Sequence, residues 1–205
     1  MTVSDLVKTK IIEYRPKGFL AITARFFLAL SKVRHSTVKG HLERLALTAE
    51  EVALELAKDA KAAFFAALLH DIGKLFLPPR LFDGRNITDE EYALVKTHAM
   101  IAFRILKHLH CFIAYCAGFH HAIYQAGYGL SIDDFPQNWS PATVKKVLEI
   151  SQIVSVCDFI DAYRYRKTGI KDGSDVGVSD LRGMLVAKYP DDIRLVDIAI
   201  AKSRW

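Results

Sequence analysis

Phe64-Phe65-Ala66-Ala67-Leu68-Leu69-His70-Asp71-Ile72-Gly73-Lys74, residues 64–74, runs from six apolar residues straight into an imidazole and a carboxylate. A stretch with no polar face reads as a buried helix, so His70 and Asp71 stand at its closing turn, where hydrated groups are costly unless partnered. Neutral imidazole and carboxylate both bind first-row divalent metals. The two oxygens of Asp71 allow it to bridge two ions while His70 binds one. Gly73 fits a helix-ending position that needs positive φ. Taken alone, the dipeptide reads equally well as a helix-end histidine beside a solvated aspartate.

Working outward, His41 precedes this pair, and His98, the doublet His120-His121 and Asp158, inside the apolar stretch Ile153 to Tyr163, follow it. Each falls on or beside a segment with helical apolar periodicity, so the core of a helical bundle can collect them into one site. Singly, each reads as a satisfied core histidine or a hydrogen-bonded aspartate. The ordered series His, His-Asp, His, His-His, Asp points instead to metal.

The chain reads as all-α. Strong helix formers run from Val38 to Phe65, Thr88-x-x-Glu91 is a capping box opening the helix that leads to His98, and Ser140-Pro141 starts the helix carrying Asp158. Pro78-Pro79 with Asp83-Gly84, and Gly127 to Ser140, mark two loops that follow ligand candidates, where substrate-contacting segments are expected. Asp172 to Asp175 reads as a plain turn before C-terminal helices.

With 205 residues, 51% of them hydrophobic, the chain can bury one substantial core. An N-terminal helical extension over 1–35 and one domain over 36–205 account for it, with no room for a sensor domain. Cys111, Cys116 and Cys157 lack Cys-x-x-Cys spacing and read as buried, reduced thiols of a cytoplasmic protein. The net charge of +5 suits a phosphate ligand, but it is spread along the chain and argues against a nucleic-acid polymer as partner. Gly18 to Leu30 is too short, and interrupted by Arg25, to span a bilayer; with no cleavage site it reads as an extra helix covering the core. Lys17, Arg25, Lys32 and Arg34 leave a membrane-surface or partner-binding helix as the alternative.

The series resembles the HD superfamily of metal-dependent phosphohydrolases, and His70 to Leu106 looks like its HD-GYP branch, which hydrolyses cyclic di-GMP. The matching residues are HDIGK at 70–74, Leu77-Pro78, Ile87-Thr88-Asp89-Glu90-Glu91, Lys96, His98 and Ile105-Leu106, then His120-His121, Gly127-Tyr128, Asp158 and Asp161-Ala162. In that branch the doublet is usually followed by Glu and then by Asp-Gly-x-Gly-Tyr-Pro. Here Ala122 follows it and the run reads Tyr124-Gln125-Ala126-Gly127-Tyr128-Gly129, a degenerate motif one residue short. Thr37 takes the place of the glutamate that holds a third metal in some members, which favours two ions. Leu130 to Pro141 is longer than the branch requires and points to an altered pocket.

The resemblance implies an all-α HD-domain helical bundle with added N- and C-terminal helices. It implies one ion on His41, His70, Asp71 and Asp158 and a second on Asp71, His98, His120 and His121, with Asp71 bridging. The nitrogen and oxygen donors suit iron or manganese, then zinc or nickel, and the two ions would make a hydroxide nucleophile from a shared water. Lys74 would neutralise a phosphoryl oxygen or the leaving group, or is a solvated helix-end lysine. Tyr128 would contact a base or phosphate, or anchor its loop by packing. Arg164 and Lys167, with Arg166, follow Asp158 where the branch contacts phosphates, with imperfect spacing. Asp161 would support a ligand, while His35, His108 and His110 read as surface or helix-end residues. The activity implied is hydrolysis of a cyclic dinucleotide, cyclic di-GMP first. The alternatives are hydrolysis of a nucleoside phosphate or other small phosphoester, or a non-catalytic module that binds a nucleotide or partner. A homodimer is left open.

Overall fold

The computed structural model describes residues 1–124, 127–166 and 178–205, and among them there is helix, turn and loop but no strand. The helices are α1 (Val3–Glu13), α2 (Leu20–Arg34), α3 (Ser36–Glu55), α4 (Ala60–Leu69), α5 (Asp89–Lys96), α6 (His98–Leu106), α7 (Cys111–Phe119), α8 (Pro141–Arg166), α9 (Val178–Lys188) and α10 (Ile193–Lys202). Short 3-10 turns lie at Ile72–Phe76, Pro79–Phe82 and Ile132–Asp134. This is the all-α helical bundle expected.

At the centre, α3 packs on α4, α8 and α10, with α1 and α2 against it. The apolar α4 sits between α3, α7 and α8 and buries Phe64, Phe65, Leu68 and Leu69. With Leu42, Leu45, Ile150 and Ile153 these form the core that fixes where α4 ends, and hence where His70 and Asp71 are held. The capping box holds, Thr88 Oγ1 accepting from Glu91 N at 3.3 Å, and Ser140 Oγ accepts from Thr143 N at 3.2 Å at the start of α8.

The helical stretch from Val38 to Phe65 is two helices. Leu56 ends α3, Ala57 takes φ +53°, and Lys58 N donates to Ala53 O at 2.7 Å, a Schellman closure with alanine where glycine is usual. Asp59 then caps α4 by accepting from Ala62 N at 2.9 Å. A second correction concerns Gly73. It does not take positive φ; it lies in a 3-10 turn where an added Cβ would stand 2.0 Å from the His98 carbonyl oxygen, so glycine is needed for close approach of the two segments that carry His70-Asp71 and His98.

Val7, Ile11, Leu20, Ala24 and Phe27 of α1 and α2 join the same core, while Phe19, Ile22, Phe26 and Val33 are exposed on the outer side. Among the described residues no helix is long and apolar enough to cross a membrane. Cys116 and Cys157 are buried, as expected, but Cys111 is exposed at the first turn of α7. His110 N-caps α7 and His108 is exposed; His35 ends α2 but is buried, its ring edge-on to Phe82 at 5.4 Å. The Asp172–Asp175 turn lies outside the described residues.

Candidate metal centre

His70, His98 and His120 each follow a helical segment and turn back on it. Their Nδ1 atoms donate to the carbonyls three residues earlier: Ala67 at 2.8 Å, Val95 at 2.6 Å and Ala117 at 2.6 Å. Such carbonyls lack intrahelical donors, so one local contact both caps the backbone and sets the ring. With Nδ1 held by a carbonyl, each ring in its neutral form presents the lone pair at Nε2, the form a metal ligand requires. His41, on α3, reaches the same state by donating Nδ1 to Asp161 Oδ2 at 2.7 Å. His121 Nδ1 pairs with the Tyr124 hydroxyl at 3.2 Å.

The lone pairs converge. His41, His70, Asp71 and Asp158 bring one donor atom each within 4.8 Å of one another, and so do His98, His120 and His121. Asp71 faces both groups. Its Oδ2 lies 3.4 Å from His41 Nε2 and 3.4 Å from His70 Nε2, while its Oδ1 lies 2.9 Å from His98 Nε2 and 3.8 Å from His120 Nε2. His41 Nε2, His70 Nε2, Asp71 Oδ1 and Asp158 Oδ1 are buried with no hydrogen-bond partner. Buried polar atoms are rarely left so. Four of them in one place, with His98 and His120 Nε2 facing each other at 3.4 Å, fit divalent cations between the donors.

The electrostatics agree. Burial would raise the Asp71 carboxyl pKa, but the charges of His70, Lys74 and His98 outweigh it and hold it well below the usual carboxylate range. Burial likewise works against ionised Asp158, and His41 and His70 reverse the effect. Burial and the neighbouring histidines push His120 well below the ordinary imidazole value, and burial takes His121 down to about 3, so both stand neutral. His41 goes the other way: burial lowers it, but Asp158, Asp161 and Asp71 together raise it to about 10. A cation bound there would replace a proton.

Over the cluster opens a cavity of about 970 Å³. Its walls include Thr37 and Arg44 of α3, Leu81 to Arg85 and Ile87 after the HDIGK turn, Tyr128, and Phe159 and Tyr165 of α8. Lys74 lines it and bonds Asp71 Oδ2. Tyr128 also lines it, its ring 4.5 Å from that of His121, with Tyr128 N donating to His121 O at 3.0 Å. Arg164 is not among its lining residues and borders a separate small crevice with Cys157 and Trp205; Lys167 lies outside the described residues. Of the two expected loops, the first faces the cavity. From the second, Tyr128 faces it, whereas Phe135 stacks on Phe119 at 4.6 Å and Trp139 packs on Tyr115 at 4.8 Å against α7. The long Leu130–Pro141 segment thus packs on α7 and contributes no residue to the cavity lining.

Sequence reasoning missed Arg44, whose guanidinium grips Asp161 with Nε and Nη2 at 2.7 and 2.8 Å, and Lys188, Tyr124, Phe159 and Tyr189 on the cavity wall. An arginine one helical turn after His41 was the available sign for Arg44; nothing local marks Lys188.

Residues 38–163 match the family model described as HD domain. Among curated proteins, the chain is 37% identical over 95 residues to a cyclic di-GMP phosphodiesterase of Thermotoga maritima, covering 44% of this chain and 26% of that protein. It is 41% identical over 88 residues to 3'3'-cGAMP-specific phosphodiesterase 3 of Vibrio cholerae, covering 40% of this chain and 19% of that protein. The aligned parts thus span about a quarter and a fifth of those relatives. Among solved structures, the HD domain of the L. monocytogenes phosphodiesterase PgpH, alone and in complex with cyclic-di-AMP, superposes with a TM-score of 0.58 at 16% identity, covering 86% of this chain and 94% of that one. That likeness speaks to the fold.

Proposed function

The chain belongs to the HD domain family, and from that premise we propose that it is a two-metal phosphohydrolase that opens cyclic dinucleotides by phosphodiester hydrolysis. The carrying observation is the division of Asp71: one carboxylate oxygen turned to His41 and His70, the other to His98 and His120. A mononuclear or purely structural site has no use for that arrangement. His41, His70, Asp71 and Asp158 would hold one ion, and Asp71, His98, His120 and His121 the other, with iron or manganese the best match to the donor set.

When bound, two divalent ions supply a water acidic enough to attack at neutral pH and draw charge from the phosphoryl oxygens. The protein supplies the rest. Its imidazoles, fixed as Nδ1 donors, keep the ligand geometry rigid. Lys74, which lines the cavity beside Asp71, would turn its ammonium toward the phosphate and stabilise charge on the leaving oxygen. One water adds to phosphorus, the P–O bond to the sugar breaks, and the departing alkoxide takes up a proton, giving a linear dinucleotide. Tyr128, above His121, offers a face for a base.

Two features support a dinucleotide over a small monoester. The cavity lies at the large end of the usual range for ligand sites and is walled by several aromatic rings. The two curated relatives are named for cyclic dinucleotides. Within that class we place the chain beside the HD-GYP branch, with a degenerate motif, and favour cyclic di-GMP. The test is hydrolysis by manganese- or iron-loaded protein of cyclic di-GMP, cyclic GMP-AMP, cyclic di-AMP and bis(p-nitrophenyl) phosphate, with products resolved by chromatography. Linear dinucleotide from at least one cyclic substrate is expected. Cleavage of the simple diester alone, with no cyclic dinucleotide bound, overturns the reading in favour of a general HD phosphohydrolase.

A further inference from the structure

Among the described residues, four lysine and arginine side chains line the cavity: Arg44, Lys74, Arg85 and Lys188. Three are neutralised by protein carboxylates, Arg44 by Asp161, Lys74 by Asp71 and Arg85 by Glu91. Among the described residues Lys188 has no carboxylate within ion-pairing distance. It is half-buried at the end of α9, its Nζ 3.6 Å from the Tyr124 ring centroid and 4.8 Å from that of Phe159. Tyr189 beside it is tied to Ser155 of α8, hydroxyl to hydroxyl, at 2.8 Å, which fixes the end of α9 against the cavity wall. A partly desolvated ammonium is stabilised by ring faces, but far more by an anion. Burial draws the Lys188 pKa down and outweighs the opposing charge of Asp158, which is too distant to pair with it.

We propose that Lys188 anchors a second phosphate subsite, binding the phosphodiester of a cyclic dinucleotide that is not being cleaved. The inference rests on the dinucleotide reading above and adds to it a cause of selectivity. The reacting phosphate belongs at the metal cluster beside Lys74. In a cyclic dinucleotide the second phosphate is held at a fixed span from the first by the ring, so a cation elsewhere on the same wall can meet it. A nucleoside monophosphate or simple diester has no group to set against Lys188. Lys188 also lies outside residues 38–163, so the family-wide domain does not supply this contact and α9 does. Tyr124 links the two subsites, carrying Lys188 on its ring face and His121 on its hydroxyl. The competing account, a lysine that merely packs on aromatic rings, assigns it a role in stability and none in ligand choice.

The experiment compares wild type with Lys188→Met, which keeps the apolar stem, and Lys188→Arg, which keeps the charge. Each metal-loaded protein is assayed on the cyclic dinucleotide it turns over and on bis(p-nitrophenyl) phosphate, and the Kd for the linear dinucleotide product is measured by calorimetry. Lys188→Met should raise KM for the cyclic substrate and Kd for the linear one by about 10-fold or more, with kcat little changed, as for loss of a charge-assisted contact made in ground and transition states alike. Its kcat/KM on the simple diester should stay within about twofold of wild type, and Lys188→Arg should recover most of the affinity. Unchanged KM and Kd in Lys188→Met, or an equal loss on both substrates, overturns the subsite and leaves the dinucleotide reading intact. A wild type that cleaves no cyclic dinucleotide overturns both. If Lys188→Met melts at a much lower temperature, Lys188→Gln carries the same comparison.

Discussion

Asp161 Oδ2 accepts from His41 Nδ1 at 2.7 Å, across 120 positions of sequence. Because Arg44 holds the same carboxylate with two further hydrogen bonds, the aspartate is fixed and in turn fixes the tautomer of His41. His41 Nε2 is thereby left facing Asp71 and Asp158. Asp161→Asn should weaken binding of one ion by about 10- to 100-fold while leaving the fold in place, as losses of such supporting partners do. Metal titration followed by calorimetry checks this; an unchanged affinity would return Asp161 to a purely structural ion pair with Arg44.

Asp71 is the residue the two donor groups share. Protein prepared without chelator should hold about two transition-metal ions per chain, and Asp71→Ala should hold neither, because removing the shared ligand weakens both sites together. Elemental analysis decides. An Asp71→Ala protein that keeps one full equivalent would show the sites to be independent.

Lys74 pairs with Asp71 and lines the cavity. Lys74→Ala should retain its metal yet lose about 10²-fold or more in kcat/KM, the scale of removing one charge-stabilising donor from a partly dry site. Metal analysis alongside steady-state kinetics separates this outcome from simple loss of the centre. Normal turnover would make Lys74 a helix-end lysine after all.

Metal-free protein should lose stability on the alkaline side. His41 is raised to about 10 by three aspartates against an ordinary 6.5, so its protonation stabilises the fold fully below about pH 6.5 and ceases to do so as pH climbs through about 10. The melting temperature of chelated protein should therefore fall over that window, and His41→Gln should flatten the decline. Added metal should remove it too, since the cation takes the proton's place. A melting temperature independent of pH between 6.5 and 10 in chelated wild type contradicts the charge state assigned to His41.

Gly73→Ala tests the close approach of the HDIGK turn to His98. Its Cβ would lie 2.0 Å from the His98 carbonyl oxygen and 2.9 Å from its Cα, backbone atoms that cannot rotate away. Destabilisation of about 1–3 kcal/mol is expected, as for overpacking at a rigid site. Binding at the His98, His120 and His121 group should weaken with it. Thermal melts and metal stoichiometry report the two effects separately.

The sequence by itself determined the helical class, the capping residues Thr88 and Ser140, and the order of candidate ligand types from His41 to Asp158. These were legible because their physics is local: an apolar run buries a helix, and a histidine at a helix end can reach a carbonyl three residues back. The Asp161 support was legible as well, since a second acid one turn from a ligand aspartate has few other uses. Tertiary structure alone decided the rest. Whether Gly73 serves a turn or a close approach depends on where His98 comes to lie, and the same packing divides Asp71 between two donor groups. The Leu130–Pro141 segment could not be placed from its length, because stacking on Tyr115 and Phe119 directs it to the outside of α7. Ala57 ends α3 against its own conformational preference, held by backbone bonds that α4 packing maintains. Lys188 carries no local mark, since a lysine at a helix end is usually solvated; only α9 docking beside Tyr124 and Phe159 brings its charge to the cavity. Local sequence fixes which groups can bind, and the burial of distant helices against one another fixes which of them meet.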